Sequence, residues 1–219
     1  MSRGRAHGTV SKVCRYLRIA HLSARAPYDR DVARPPRILL PGIYHLTAHG
    51  SDNRQLFLGD SERENFLARL AAICERFELA LLSYVLMGNH YHALLRIPDA
   101  RLSIALQRLH TEYSRHLNRM HGRIAHLFRA HPGTREIESD EHLVTAARYV
   151  ARNPVRAGLV RDPLDWPWSS AAAHTGFERP RIPLTEIDLQ AAFGGRDSWR
   201  REYLTQIRIP DEDELPRAA

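Results

Sequence analysis

The sequence predicts an α+β domain with a ferredoxin-like fold, in which helices cover one face of an antiparallel sheet. Two observations carry this prediction. Hydrophobic patterns typical of strand, helix, strand, strand, helix and strand follow one another over residues 42–139. Gly88 and Asn89 separate the second strand from the third, as in a tight hairpin. A C-terminal helical extension is expected beyond this pattern.

The first two elements have clear local signals. Residues 42–50 alternate in polarity and are rich in strand-forming side chains, which predicts a strand. Residues 60–79 carry hydrophobic side chains at helical spacing, and the helix is expected to begin at Asp60 or Ser61. Glu64 lies three residues after Ser61, so these two side chains are expected to form a capping box.

The remaining elements follow from the same kinds of pattern. The predicted strands cover residues 80–88, 90–97 and 134–139, and the predicted helices cover 100–122 and 140–153. The helix over 100–122 presents a hydrophobic stripe that includes Tyr113 and Met120. The last helix is expected to stop before Pro154, because a residue that precedes proline disfavours helical geometry. Trp166 and Trp168 are expected in the core.

The charge composition points to two explanations that the residues alone do not separate. The 219-residue chain carries 32 Lys+Arg against 25 Asp+Glu, for a formal charge of +7, and Lys12 is its only lysine. Arginine binds phosphate through two hydrogen bonds and stacks on bases, so an arginine-dominated basic chain indicates nucleic acid as a partner. A GC-rich genome would produce the same excess of arginine.

The cysteine content and hydrophobic pattern exclude several classes of protein. Cys14 and Cys74 are the only cysteines, so the chain has neither a disulfide framework nor a four-cysteine zinc site. This usage fits the reducing cytoplasm of a bacterium. The sequence contains no hydrophobic run long enough to span a membrane, and no membrane partner is expected.

Three segments are predicted along the chain. Residues 1–36 are basic and weakly periodic, and they are expected to be disordered or an over-extended start. Residues 37–175 carry all the strand and helix patterns and form the predicted domain. Residues 176–219 are rich in Pro, Asp and Glu and are expected to form a peripheral tail.

A pair of histidines after the predicted hairpin turn is the first candidate site. His90 and His92 lie two residues apart in a predicted strand, so their side chains share one face while Tyr91 faces the other way. Two neighbouring imidazoles can share one divalent cation. Two solvated histidines on an exposed strand would give the same pattern, and the pair alone favours that explanation.

Four stretches resemble the REP-associated tyrosine transposases, a group of the single-tyrosine HUH transposases of insertion-sequence type. MGNHYHALL (87–95) resembles the HUH motif, in which two histidines flank a bulky residue. The other stretches are PGIYHLTAHG (41–50), YVARNPVRAGLV (149–160) and WPWSS (166–170). They occur in family order within residues 33–175, and they imply the HUH endonuclease fold.

The resemblance also implies an active site. His90 and His92 would bind Mg²⁺ or Mn²⁺, and Tyr113, in the stretch YSRHLN, would be the nucleophile. Asn118 matches the family as the third metal ligand, although the residue one turn after Tyr113 is Leu117, which cannot ligate. Without the resemblance, a tyrosine on the hydrophobic stripe is more typical of a core residue. Tyr91 and Tyr149 are expected to be structural.

The implied function is metal-dependent cleavage and strand transfer on single-stranded DNA that contains a hairpin, through a 5′-phosphotyrosine intermediate. A domesticated protein that binds hairpin DNA without cutting it is the alternative. The resemblance allows a homodimer as well as a monomer. The expected DNA contacts are Arg37, Arg54, Arg96, Arg115, Arg129, Asn153 and Arg156.

Overall fold

A computed structural model of the protein describes residues 39–122, 126–195 and 198–210, which all belong to one compact unit. The predictions for residues 1–36 and for Arg37 lie outside the described residues. The strands are β1 (Gly42–His49), β2 (Ala80–Leu86), β3 (His90–Ile97) and β4 (Gly133–Ile137). The helices are α1 (Asp60–Arg76), α2 (Leu102–Met120), α3 (Asp140–Arg156), α4 (Ala171–Thr175), α5 (Ile187–Ala192) and α6 (Trp199–Arg208).

The strands form one antiparallel sheet in the order β2-β3-β1-β4. Gly88 and Asn89 make the turn between β2 and β3, and the amide of Met87 bonds to the carbonyl of His90 at 2.9 Å. The central pair, β1 and β3, sets His49 directly opposite His90. The predicted fold class is confirmed.

The two faces of the sheet are covered by different helices. Residues on one face, among them Leu46 and Tyr91, pack against α1 and α2 in one hydrophobic cluster. Residues on the other face, among them Val85 and Leu94, pack against α3 and the helices after it in a second cluster. The prediction of helices on one face therefore holds for α1 and α2, while α3 to α6 cover part of the opposite face.

Three local expectations are wrong. The capping box does not form, because Gly59 is the N-cap residue of α1 and the hydroxyl of Ser61 donates to the carboxylate of Glu62. Met120 lies outside the stripe of α2 and is 67% exposed. Helix α3 continues through Pro154 to Arg156.

Residues of the WPWSS stretch cover the outer edge of β2. The amide of Leu86 bonds to the carbonyl of Trp168 at 2.8 Å, and the amide of Ser170 bonds to the carbonyl of Tyr84 at 3.0 Å. Trp168 is buried, as expected, whereas Trp166 is half-buried and donates to the carbonyl of Leu86. The stretch thus satisfies backbone groups that an open sheet edge would leave unpaired.

Within the described residues of the segment expected to be a peripheral tail, helices α5 and α6 contribute to the core. Helix α6 packs against α3, and its Tyr203 and Ile207 are fully buried. The guanidinium of Arg152 on α3 donates to the carbonyl of Ile207 at 2.9 Å. Sequence reasoning missed this packing because the helix is short and rich in charge. Among the described residues, no helix has the length and hydrophobicity needed to cross a bilayer.

Truncation of one buried side chain in α6 tests this packing. Replacing Ile207, which is 0% exposed, with Ala should lower the free energy of unfolding by about 2–5 kcal/mol, because the change removes buried methylenes and leaves a cavity. Ile209, which is 45% exposed, is the matched control, and its change to Ala should alter stability by less than about 0.5 kcal/mol. Equal effects in urea denaturation would show that α6 does not contribute to the core.

Candidate active site

The two histidines of β3 converge with an amide from α3. His90 and His92 point to the face that α3 covers, and their ring centroids lie 5.1 Å apart. Asn153 reaches both rings, with its Oδ1 3.3 Å from Nε2 of His90 and its Nδ2 3.2 Å from Nε2 of His92. Both Nε2 atoms therefore face one buried amide.

A hydrogen bond on the side of the His90 ring away from Asn153 orients this ring. Nδ1 of His90 lies 2.8 Å from Oδ1 of Asn89, which can only accept, so the proton of His90 is on Nδ1 and the lone pair is on Nε2. This lone pair faces Oδ1 of Asn153, which is also an acceptor. Two acceptors that face each other form a place where a cation is stabilised.

Burial keeps these imidazoles uncharged. It lowers the pKa of His92 to about 2, and the neighbouring His45, His90 and His49 add to that effect. The pKa of His90 is lowered by burial and by His49. Because only a neutral imidazole can bind a metal ion, both histidines are in the protonation state that ligation requires.

Tyr149 lies beside this pair. It is on α3, one turn before Asn153, and its ring centroid lies 5.4 Å from that of His92. The guanidinium carbon of Arg156 lies 5.3 Å from the centre of the same ring. Tyr149 is 37% exposed, so its phenol borders solvent next to the histidines. The expectation that Tyr149 is merely structural does not account for this position.

Tyr113, the tyrosine expected to be the nucleophile, is far from this arrangement. It is 0% exposed and packs against Phe57 and Phe66, with ring centroids 5.9 Å and 5.1 Å away. Its hydroxyl donates to the carbonyl of Leu56 at 2.7 Å. Burial raises the pKa of Tyr113, which opposes formation of a phenolate. The expectation that Tyr113 lies beside the histidines is wrong.

The sheet itself separates Tyr113 from the histidines. Tyr91, between them on β3, points to the opposite face, where its ring lies 4.8 Å from that of Phe66. The ring of Phe66 also contacts Tyr113. Tyr91 is therefore a core residue, as expected, and it marks the Tyr113 side of the sheet. Asn118 belongs to the same helix as Tyr113, so the structure does not bring it to the pair.

The expected DNA contacts divide into two groups. The first group lies near the histidines: Asn153 contacts His92, and Arg156 contacts the ring of Tyr149. The positive charge of Arg129 helps to lower the pKa of the partly buried His49. The second group lies elsewhere. Arg96 forms a bidentate ion pair with Asp188 of α5. Exposed Arg115 belongs to α2, on the other side of the sheet, and exposed Arg54 lies in the loop after β1.

One further arginine was missed by sequence reasoning. Arg135 of β4 lies opposite His45 in the sheet and helps to lower the pKa of that histidine to about 4, after the larger effect of burial. Positive charge therefore lies beside His49 from Arg129, beside His45 from Arg135 and beside Tyr149 from Arg156. No sequence motif marks Arg135, because β4 is short and its register with β1 comes from the fold.

The donor set fits a divalent cation held by two imidazoles and an amide oxygen. Within the part of the chain that the structure describes, no group of three or more His, Cys, Asp and Glu side chains is placed to hold a metal ion. The donors are instead Nε2 of His90, Nε2 of His92 and Oδ1 of Asn153. All three are neutral, so a bound cation would keep its full charge for an anionic substrate.

The sequence contained a signal for the tyrosine that lies beside the histidines. A ligand one helical turn after a tyrosine lies three or four residues later, and Asn153 lies four residues after Tyr149. The same position after Tyr113 is Leu117. Tyr149 is also absent from the hydrophobic stripe of its helix, whereas Tyr113 is within its stripe.

Comparisons with known proteins point to a transposase family. The family model described as Transposase IS200 like matches residues 42–153, just over half of the chain. The chain is 26% identical over 140 residues to a protein described as a REP-associated tyrosine transposase in Haemophilus influenzae, with 59% of this chain and 79% of that protein covered.

A solved structure has a similar fold. It is that of a REP-associated tyrosine transposase bound to a REP hairpin, with a TM-score of 0.57 and 14% identity. The match covers 71% of this chain and 92% of that chain. The resemblance seen in the sequence motifs is therefore confirmed, and the chain belongs to the IS200-like transposase family.

Proposed function

We propose that the protein cleaves and rejoins single-stranded DNA that contains a hairpin, through a covalent 5′-phosphotyrosine at Tyr149. The observation that carries this proposal is the position of Tyr149 on the same face of α3 as Asn153, whose amide faces both His90 and His92. Membership of a transposase family and the similarity to a hairpin-bound transposase support it.

In this proposal His90, His92 and Asn153 hold Mg²⁺ or Mn²⁺. The cation would polarise the scissile phosphate and neutralise the charge that develops on it. The protein contributes two imidazoles that burial keeps neutral and that neighbouring side chains orient. The site therefore requires no change of side-chain protonation in order to accept the cation.

Tyr149 supplies the nucleophile. Its phenolic oxygen gives up a proton and forms a bond to phosphorus, while the bond from phosphorus to the 3′ oxygen breaks. The 3′ oxygen leaves as a hydroxyl after it gains a proton, and the 5′ phosphate stays on the tyrosine. A 3′-hydroxyl then attacks the phosphotyrosine in the reverse sense, so rejoining needs no external energy source.

The arginines around the site bind and orient the strand. The guanidinium of Arg156 contacts the ring of Tyr149, so it can restrain the ring and attract the phosphate that the phenol attacks. Arg129 and Arg135 extend the positive charge along the sheet. DNA binding should weaken as salt concentration rises, because each phosphate contact releases counterions.

A single chain carries all the proposed parts of the site. Tyr149 and Asn153 come from α3, and His90 and His92 come from β3 of the same chain. Cleavage therefore does not depend on a residue from a second copy. The homodimer that the family resemblance allows stays a prediction, and it is not needed for the chemistry.

The test is a denaturing gel with end-labelled, hairpin-containing single-stranded DNA and Mn²⁺. The proposal predicts a protein–DNA band that survives denaturation and that a chelator prevents. A domesticated hairpin-binding protein would instead bind the DNA in a salt-sensitive manner and leave no covalent band. Absence of both the band and salt-sensitive binding would contradict any role on DNA.

A further inference from the structure

We propose that Thr47 and His45 are positioning residues that hold His92 in the tautomer with its proton on Nδ1. The inference rests on the proposed function, because this tautomer puts the lone pair of His92 on Nε2, the atom that would bind the cation. It assigns a role to two side chains of β1 that contact His92 on the side of its ring away from Asn153. Side chains that orient a ligand in this manner strongly affect metal affinity in other proteins.

The register of the sheet places both residues against His92. Thr47 lies directly opposite His92 in the antiparallel pair of β1 and β3. His45 lies two residues before Thr47, so it shares the same face. Oγ1 of Thr47 and Nε2 of His45 are each 3.0 Å from Nδ1 of His92. Backbone hydrogen bonds between the strands fix these positions.

The contact on the far side of the His92 ring shows where its single proton lies. Nε2 of His92 is 3.2 Å from Nδ2 of Asn153, and an amide nitrogen can only donate. Nε2 must therefore accept and carry the lone pair. The proton of the neutral ring is then on Nδ1, where it is shared between the oxygen of Thr47 and Nε2 of His45.

The surroundings of His45 make its nitrogen an acceptor. Nδ1 of His92 carries the proton, so Nε2 of His45, which faces it at 3.0 Å, must present a lone pair. Thr47 can accept the same proton through its hydroxyl oxygen.

Four variants separate this role from a general structural one. Thr47→Val removes the acceptor with little change of shape, and Thr47→Ser restores it. The double variant Thr47→Val/His45→Phe removes both acceptors. Thr134→Val is the matched control. Thr134 of β4 pairs with Leu46 of β1, so its side chain lies on the face of the sheet opposite to His92.

Two measurements on the metal-free full chain test the proposal. The first is a calorimetric titration with Mn²⁺ alone. Thr47→Val should raise the Kd about 10-fold and the double variant about 100-fold, whereas Thr47→Ser and Thr134→Val should bind like wild type. The second is nitrogen-15 NMR of the histidine rings, in which a protonated and an unprotonated nitrogen have distinct shifts.

The outcomes distinguish this inference from the proposed function. A double variant that folds and binds Mn²⁺ as tightly as wild type overturns the positioning role, and the proposed function is unaffected. If wild type binds no Mn²⁺, the proposed metal site fails, and the NMR arm alone decides the inference. A proton on Nδ1 of His92 in wild type that is lost in the double variant supports it, and a proton on Nε2 in wild type overturns it.

Discussion

Replacing Tyr149 with Phe should abolish the covalent protein–DNA band and lower the cleavage rate by at least ~10⁴-fold, since the change removes the attacking oxygen and little else. The phenol of Tyr149 borders solvent beside His92, and the loss of one hydroxyl there should leave the fold intact. The Kd for hairpin DNA should be the same as that of wild type. The measurements are single-turnover cleavage of labelled DNA and a filter-binding titration on the same preparation.

Tyr113→Phe is the matched control, because it removes the same atom from the other side of the sheet. Its hydroxyl donates to the carbonyl of Leu56 in the core, so the change should cost about 1 kcal/mol of stability and leave the cleavage rate nearly unchanged. If Tyr113→Phe lost the covalent band at normal stability while Tyr149→Phe kept it, the assignment of the nucleophile would be reversed.

Asn153 should control the affinity for the cation. Asn153→Ala removes the amide that faces both histidines, and the Kd for Mn²⁺ should rise by at least the ~10–100-fold that loss of an outer-shell partner costs. Asn153→Asp should lower the Kd, because a carboxylate adds negative charge to a set of neutral donors. Calorimetric titration of the metal-free protein measures both effects on the Kd. The Asn153→Ala variant should also cleave DNA more slowly than wild type.

Asn118→Ala provides the comparison for this series. Asn118 lies on α2, which packs against the opposite face of the sheet from the histidines, so its replacement should leave the Kd for Mn²⁺ unchanged. A loss of affinity in Asn118→Ala that equals or exceeds the loss in Asn153→Ala would mean that the third ligand is assigned to the wrong helix. Thermal denaturation of both variants shows whether either change acts through unfolding.

The parts of the fold that were predictable depend on short-range patterns. Strand β3 was predicted at its observed bounds, because its hydrophobic run begins directly after the Gly88-Asn89 turn. The shared face of His90 and His92 follows from the two-residue repeat of any strand. Membership of the family was also readable, because several motifs occur in order along the chain.

The parts that were mispredicted depend on contacts between distant segments. Tyr113 and Tyr149 both lie on helices, and the stretch YSRHLN around Tyr113 resembles the family's tyrosine motif. The helix that contacts the histidines is the one that packs on their face of the sheet, which is α3 and not α2. The burial of α6 likewise depends on α3, which lies more than 40 residues earlier in the chain.

The sequence by itself determined that this protein has an antiparallel α+β domain and a strand with two histidines on one face. It also determined that a transposase-like set of motifs surrounds them. Only the tertiary structure decided that Tyr149 and Asn153, rather than Tyr113 and Asn118, meet those histidines. The reason is that residue spacing fixes which side chains share a face of one element, whereas packing of helices on opposite faces of the sheet decides which elements meet.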